Sequence, residues 1–437
     1  MIEISYIIIQ LFIFFFLFSL NYQAINKSFL VNFKFNYFES FSISIVLQLN
    51  IILFLLFLNI NLEKIIRILL MINLIILILN VYYLKLIFFK EKFLDIRFVF
   101  LFLISLLIFF DISHELTLGW DAEKFWFLKA LNLYHNNTID SFANFIELRS
   151  PFLGGLIWAF FWKMSFISNE YAGRLFFAFV YIISISTLVQ NLKLPKLYKL
   201  TLTFLVILAT YDYNILFSGN KEVLIFSFFC LMINCLYQIS NQNFKNENYY
   251  IFFFIMTSNL IIWTKSEGFV YLISILVPLI FFLNIKINKK LLIVICVSFF
   301  YFFKIFIYKF YNLSLDLKSC CYNDFSAQGI LAKISFERII LIIEYLIFSI
   351  ANNFLFIVGF IFVFFSLFNK KLMKKLSYLY TILFLNFSFV GVIYLMTDER
   401  LEYMLKTGID RLIFMFLPVM ILLLIEYINF FRRRLRY

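Results

Sequence analysis

The segment best equipped for chemistry is GWDAEKFWFLKA at 119–130, where Asp121 opens an amphipathic stretch just beyond an apolar run. A carboxylate placed there is ionised at neutral pH and can take a proton from an incoming hydroxyl. Read structurally, the same residue N-caps a surface helix. NEYAGRLF at 169–176 sets Glu170 and Arg174 four residues apart, the spacing of a helical ion pair worth about 0.3–0.5 kcal/mol. WTKSEG at 263–268 holds Lys265 and Glu267, and TGIDRLIFMFLP at 407–418 holds Asp410 and Arg411. A lysine there can simply snorkel, whereas an arginine can grip a phosphate with two hydrogen bonds. Glu344, inside IILIIEYLIF, is a carboxylate within an apolar run, which marks either function or a hydrogen bond to a neighbouring helix. One carboxylate and one or two cations are the parts needed to use a phosphate-linked lipid. The carboxylate deprotonates an acceptor and the cations stabilise the phosphate that leaves.

These residues are carried by an unusually apolar chain. Of 437 residues, 64% are hydrophobic and only 14% charged, against about half and about a quarter in soluble domains. Soluble enzyme folds and disordered scaffolds are excluded. The apolar runs are continuous rather than alternating, so the expected architecture is all-α, a polytopic helical membrane protein and not a barrel. Runs near 4–20, 41–62, 65–87, 98–111, 175–192, 200–217, 223–239, 251–263, 269–285, 291–308, 339–369, 377–397 and 412–430 give about thirteen transmembrane helices. The N-terminal run lacks a basic start and a small-residue cleavage site, and is read as a retained span. The net charge of +13 marks topology rather than nucleic-acid binding. Cys230, Cys235, Cys296, Cys320 and Cys321 form no CxxC pair, which argues against both metal binding and a disulfide framework.

Cytoplasmic loops retain Lys and Arg, so RRRLRY at the C-terminus, 370–375, 284–290 and 193–199 are expected inside. The segments 112–174, 218–222, 264–268, 310–338 and 398–411 then fall outside. This holds only if PFLGGLIWAFFW at 151–162 does not cross. Its length as a helix is roughly 18 Å, well short of a bilayer core of about 30 Å, so it is expected to lie in the interface or to re-enter. The outer loop 112–174 therefore carries two short juxtamembrane helices. In the first, 121–135, a 100° rotation per residue gathers Asp121, Lys124, Lys129, Asn132 and His135 on a polar arc, with Trp126, Phe127, Ala130, Leu131 and Leu133 facing away. The chain divides into accessory helices at 1–97, a module at 98–285 and C-terminal helices at 286–437.

The run from 98 to 192, a span followed by GWDAEKFWFLKALNLY, SPFLGGLIWAFFW and NEYAGRLFFAFVYII, resembles the first-loop module of the GT-C glycosyltransferases. It is most similar to the dolichyl-phosphate-mannose and aminoarabinose transferase superfamily, family 39, and WTKSEG and GIDRLIFMFLP also look like segments of bacterial members. The resemblance covers about a third of the chain and none of residues 1–97. It implies an inverting membrane glycosyltransferase of the bacterial inner membrane, with its site on the periplasmic face. Such enzymes move a sugar from a polyprenyl-phosphate donor to a glycan, lipid or protein acceptor.

The first-loop Asp of the family, which acts at its catalytic centre, matches Asp121. Arg411, Arg174 and Lys265 are then the candidates to hold the donor phosphate, with Lys124 and Glu170 shaping the site. Better-known members carry adjacent acidic residues where this chain has Asp121-Ala122-Glu123, which leaves a divalent metal open but without a clear ligand pair, and the lipid-linked sugar is the substrate rather than a cofactor. Two rival readings keep the membrane setting. An O-antigen polymerase or ligase would use cations of a late outer loop, here Lys318, Lys333 and Arg338. A non-enzymatic transporter or flippase of lipid-linked glycans would show internal repeats and Gly- or Pro-broken spans, and no repeat is visible among the 10 Gly and 4 Pro.

Overall fold

The computed structural model describes residues 2–19, 37–84, 95–114, 116–143, 151–166, 168–211, 218–241, 247–313, 334–397 and 401–434. Among them there is no strand. The α-helices in chain order are α1 (Ile2–Ser19), α2 (Tyr37–Phe57), α3 (Leu62–Leu84), α4 (Ile96–His114), α5 (Phe127–Asn136), α6 (Leu153–Met164), α7 (Ala172–Val189), α8 (Lys196–Tyr211) and α9 (Glu222–Asn241). They continue with α10 (Glu247–Thr264), α11 (Gly268–Phe281), α12 (Ile287–Phe310), α13 (Phe336–Ala351), α14 (Phe354–Leu367), α15 (Lys370–Met396), α16 (Leu401–Phe414) and α17 (Leu417–Arg434). Lys318, Lys333, Cys320 and Cys321 lie outside the described residues.

Each apolar run of the sequence falls on a helix, but the helices are less uniform than the runs. Among the described residues six are long and apolar enough to cross a membrane, or eight when each of two bent pairs counts as one span. The difference from thirteen lies in length and bending. α8 has 16 residues and α11 only 14, and at 1.5 Å per residue 14 residues reach about 21 Å. The run 339–369 is not one straight helix: α13 and α14 meet at 102°. Asn353 makes the corner, because its side chain accepts the Leu355 N–H at 2.9 Å and so caps a new helix. Glu344 accordingly sits on the exposed side of α13, not within a straight membrane helix. A milder bend of 42° separates α16 from α17, just before Pro418.

The bundle is organised around α7, every residue of which is buried. α9 and α2 pack beside it and are also mostly buried. At the periphery, α12 leaves Leu291, Ile295, Phe299, Phe302, Phe306 and Phe310 exposed. Spaced by three and four residues, they form one stripe about 28 Å long, close to the hydrocarbon thickness of a bilayer. Such a face is stable against lipid and not against water, and the molecule is a polytopic helical membrane protein.

Polar groups collect at two ends. At one, Asp95 pairs with Arg97 and Lys196, Lys289 with Glu247 at 3.0 Å, and Lys375 with Glu426. Asn191 joins Asn234 at 2.8 Å and Gln238 at 2.6 Å, and Asn429 ties this network to Lys193. The opposite end carries α5, α6 and the candidate site. There α6 does not lie on the surface: residues 153–161 are all buried, sealed between α5 and α7.

Candidate functional site

Four separate segments meet at this end. The Asp121 carboxylate forms an ion pair with Arg411 of α16. Arg411 Nη1 also lies 3.7 Å from Glu222 Oε1 at the start of α9. The same Glu222 oxygen receives Lys265 Nζ at 3.1 Å, and Lys265 reaches Glu267 at 3.3 Å. The result is a continuous chain of charges, Asp121–Arg411–Glu222–Lys265–Glu267, drawn from segments expected to share one face of the membrane. Its middle is sealed and its Asp121 end is open: the Glu222 side chain is 5% exposed, against 23% for Asp121 and 29% for Arg411.

Asp121 is not an N-cap. Its backbone is already helical (φ −63°, ψ −36°) and its side chain makes no capping hydrogen bond, so the carboxylate turns to Arg411 instead. The segment is anchored by the Gly119 N–H, which donates to Ser218 O at 2.9 Å and fixes it beside the turn leading into α9. Residues Ala122–Trp126 then form a π turn, with the Phe127 N–H bonded to Ala122 O. A turn closed by i→i+5 bonds is wider than 3.6 residues, so the 100° phase fails across it. The polar arc expected for 121–135 is therefore wrong at Lys129, which is fully buried with Ala130 and Leu133.

Two buried lysines flank the Trp126 indole, Lys221 at 3.7 Å and Lys129 at 4.8 Å from the ring centroid. Lys221 Nζ donates to Pro151 O at 2.6 Å. The paired glycines of α6 admit their stems: a Cβ at Gly154 would stand 2.7 Å from Lys221 Cε, and one at Gly155 2.9 Å from Lys129 Cβ. Burial pushes the Lys221 ammonium well below the usual lysine range, with the charges of Lys129 and Lys265 adding to the effect. Burial acts the same way on Lys265, but Glu222 and Glu267 outweigh it and raise that group, which stays charged.

The remaining candidates are placed elsewhere. Lys124 is exposed and pairs with Glu123 at 3.2 Å. Arg174 and Glu170 form a separate ion pair at 2.7 Å, and Glu170 takes the Trp158 indole N–H on its carbonyl at 2.8 Å, so the pair seats Trp158. Asp410 accepts from Ser349, and of the two neighbours only Arg411 joins the chain of charges. Arg338 donates to the carbonyls of Tyr394, Leu395 and Thr397 and closes the end of α15. Among the described residues no group of three His, Cys, Asp or Glu is placed to share a metal ion.

Sequence reasoning missed Glu222, the hub of the site, and Lys221 beside it. Their signal was SGNKEV at 218–223, a short outer link whose two charges stand at the very edge of an apolar run. No family model, curated protein or solved structure matches this chain.

Proposed function

We propose that the protein is an inverting membrane glycosyltransferase that moves a sugar from a polyprenyl-phosphate donor to an acceptor at the outer face of the bacterial inner membrane. The observation that carries this reading is the contact of Asp121 with Arg411, a carboxylate and a phosphate-binding group brought together across 290 residues of chain. In the reaction an acceptor oxygen forms a bond to the anomeric carbon as the bond to the phosphate oxygen breaks. The electron pair leaves with the phosphate, and the acceptor proton passes to Asp121. The nucleophile and the leaving group approach from opposite sides of that carbon, so base and clamp cannot stay in contact. The donor phosphate therefore takes the place of Asp121 on Arg411, which frees the carboxylate for the acceptor hydroxyl, while Lys265 holds further positive charge nearby.

A GT-C-like arrangement is part of this reading. Among the described residues the six to eight apolar spans are compatible with such an arrangement, and α5 and α6 stand at the end that carries the site. The basic segments 193–199, 284–290 and 370–375 belong to the opposite, cytoplasmic layer.

The test is a transfer assay on purified protein in nanodiscs with a panel of polyprenyl-phosphate sugars, reading release of polyprenyl phosphate. Turnover that is lost in Asp121→Asn, with membrane abundance unchanged, is the expected result. Full activity in Asp121→Asn overturns the assignment of the base.

A further inference from the structure

The chain of charges leaves specific polar atoms over. Glu222 takes both Lys265 and Arg411 on Oε1, and its Oε2 is buried with no hydrogen-bond partner. Two residues earlier, Asn220 gives its amide N–H to Ser218 Oγ at 2.7 Å, and its Oδ1 is likewise buried and unpartnered. Tyr271 is 1% exposed and its hydroxyl is unpartnered too.

Tyr271 belongs to the same neighbourhood. It follows Glu267 by four residues, and its N–H donates to Glu267 O at 3.3 Å, so the two lie on one face of the turn that opens α11. Its ring packs edge-on against Phe229, two turns below Glu222 on α9, and against Phe389 of α15. Glu267, Glu222 and Tyr394 act on Tyr271 electrostatically, and Tyr394 acts likewise on Arg411. An acceptor on Glu222, an acceptor on Asn220 two residues before it and a hydroxyl on Tyr271 one turn after Glu267 thus stand on the segments that carry the chain of charges. Buried polar atoms left unpaired cost stability, and they are retained where a ligand completes them.

We infer that Glu222, Asn220 and Tyr271 form a hydroxyl-recognition subsite beside Lys265 and Arg411, so that the ligand of this site is a sugar carried on a phosphate and not a bare lipid phosphate. The two carbonyl-type oxygens accept from sugar hydroxyls and the Tyr271 hydroxyl donates to one. The inference rests on the proposed lipid-phosphate reading and adds which residues read the sugar.

The experiment compares two probes bound to the purified protein in nanodiscs: undecaprenyl phosphate, and a panel of undecaprenyl-phosphate hexoses and pentoses. The wild-type protein is expected to bind the best glycosylated probe at least about tenfold more tightly than undecaprenyl phosphate, the effect of one or more hydrogen bonds to a charged group. Tyr271→Phe removes an unpaired hydroxyl and is expected to keep the melting temperature, to keep undecaprenyl phosphate binding, and to lose about tenfold in preference for the sugar. Arg411→Gln is expected to weaken both probes. A Tyr271→Phe variant that keeps the full preference, or weakens both probes equally, overturns the subsite. Wild-type binding of undecaprenyl phosphate with no gain from the sugar overturns the subsite alone, whereas binding of neither probe overturns the lipid-phosphate reading as well.

Discussion

Glu222 is the residue on which the site depends, and its removal should show this quantitatively. At an effective dielectric of about 20, its attraction to Lys265 at 3.1 Å is about 5 kcal/mol and to Arg411 at 3.7 Å about 4.5 kcal/mol, before desolvation is counted. Desolvation of a carboxylate that is 5% exposed offsets several kcal/mol of this. In Glu222→Gln neither cation is left alone, because Lys265 keeps Glu267 and Arg411 keeps Asp121. The loss should thus fall below the 3–5 kcal/mol of a stranded buried charge and above the 0–1 kcal/mol of a surface pair, at about 2 kcal/mol. The assay is unfolding by SDS titration from mixed micelles, run as a double-mutant cycle with Lys265→Met. A coupling of about 1.5 kcal/mol or more is expected, since the two groups are in contact. A single-variant loss under about 0.5 kcal/mol with no coupling would show that Glu222 organises nothing, and the view of it as a hub would be abandoned.

Asp121→Asn should separate activity from stability: its pair with Arg411 is partly exposed and worth about 1 kcal/mol or less, while loss of the proposed general base should lower the proposed transfer by about 10²–10⁴-fold. A variant that unfolds as readily as Glu222→Gln would contradict the partly exposed geometry. Gly154→Ala drives a methyl into the buried Lys221 stem and should cost about 1–3 kcal/mol, whereas Gly391→Ala, with nothing within 4 Å of the new atom, should be neutral or stabilise its helix by about 0.5–1 kcal/mol. Equal effects in the two melting curves would refute the packing argument. Burial works against the ionised Asp95, but hydrogen bonds from Arg97 prevail and hold the group down at about 2. Its contribution is therefore present above the ordinary aspartate range and lost as the pH falls from there toward about 2. Asp95→Asn should remove that portion of the acid loss, read as melting temperature against pH. An unchanged acid limb in the variant would count against the pair.

The membrane class was legible because it depends on composition and run length, which tertiary contacts do not alter. The site was legible in parts. Asp121, Lys265 and Arg411 stood out as charges at the ends of apolar runs, and they do come together. Glu222 carried the same signal, yet a lone glutamate at a span end is indistinguishable from ordinary helix-terminus chemistry until its two cationic partners, 43 and 189 residues further on, are seen in space. Lys129 was misplaced because periodicity assumes a constant turn and a π turn breaks it. The corner in 339–369 was written in Asn352 and Asn353, but hydropathy averaging over a 31-residue run conceals two polar residues. The spacing of Glu170 and Arg174 announced their ion pair, which forms, whereas the seating of Trp158 on Glu170 depends on packing that spacing does not show.

The two halves of the site differ in how they are held. Glu222 and Lys265 stand at the ends of regular helices packed into the centre of the bundle, α9 and α10, and share one carboxylate oxygen. Asp121 instead precedes a π turn directly, and Arg411 lies three residues before the end of α16, where the chain bends by 42° into α17. Irregular turns of this kind have weaker local hydrogen bonding than the helices beside them and shift at lower cost. Opening the Asp121–Arg411 contact therefore asks for movement only where the backbone is already irregular, while the Glu222–Lys265 contact can stay in place to receive the donor. If the pair were instead a permanent structural strut, the irregular backbone would be expected on neither side of it. Asp121→Asn, which loosens the contact while keeping Arg411, then separates the alternatives. A site that must open binds undecaprenyl phosphate more tightly once the competing carboxylate is neutralised, whereas a strut leaves that binding unchanged or weakened.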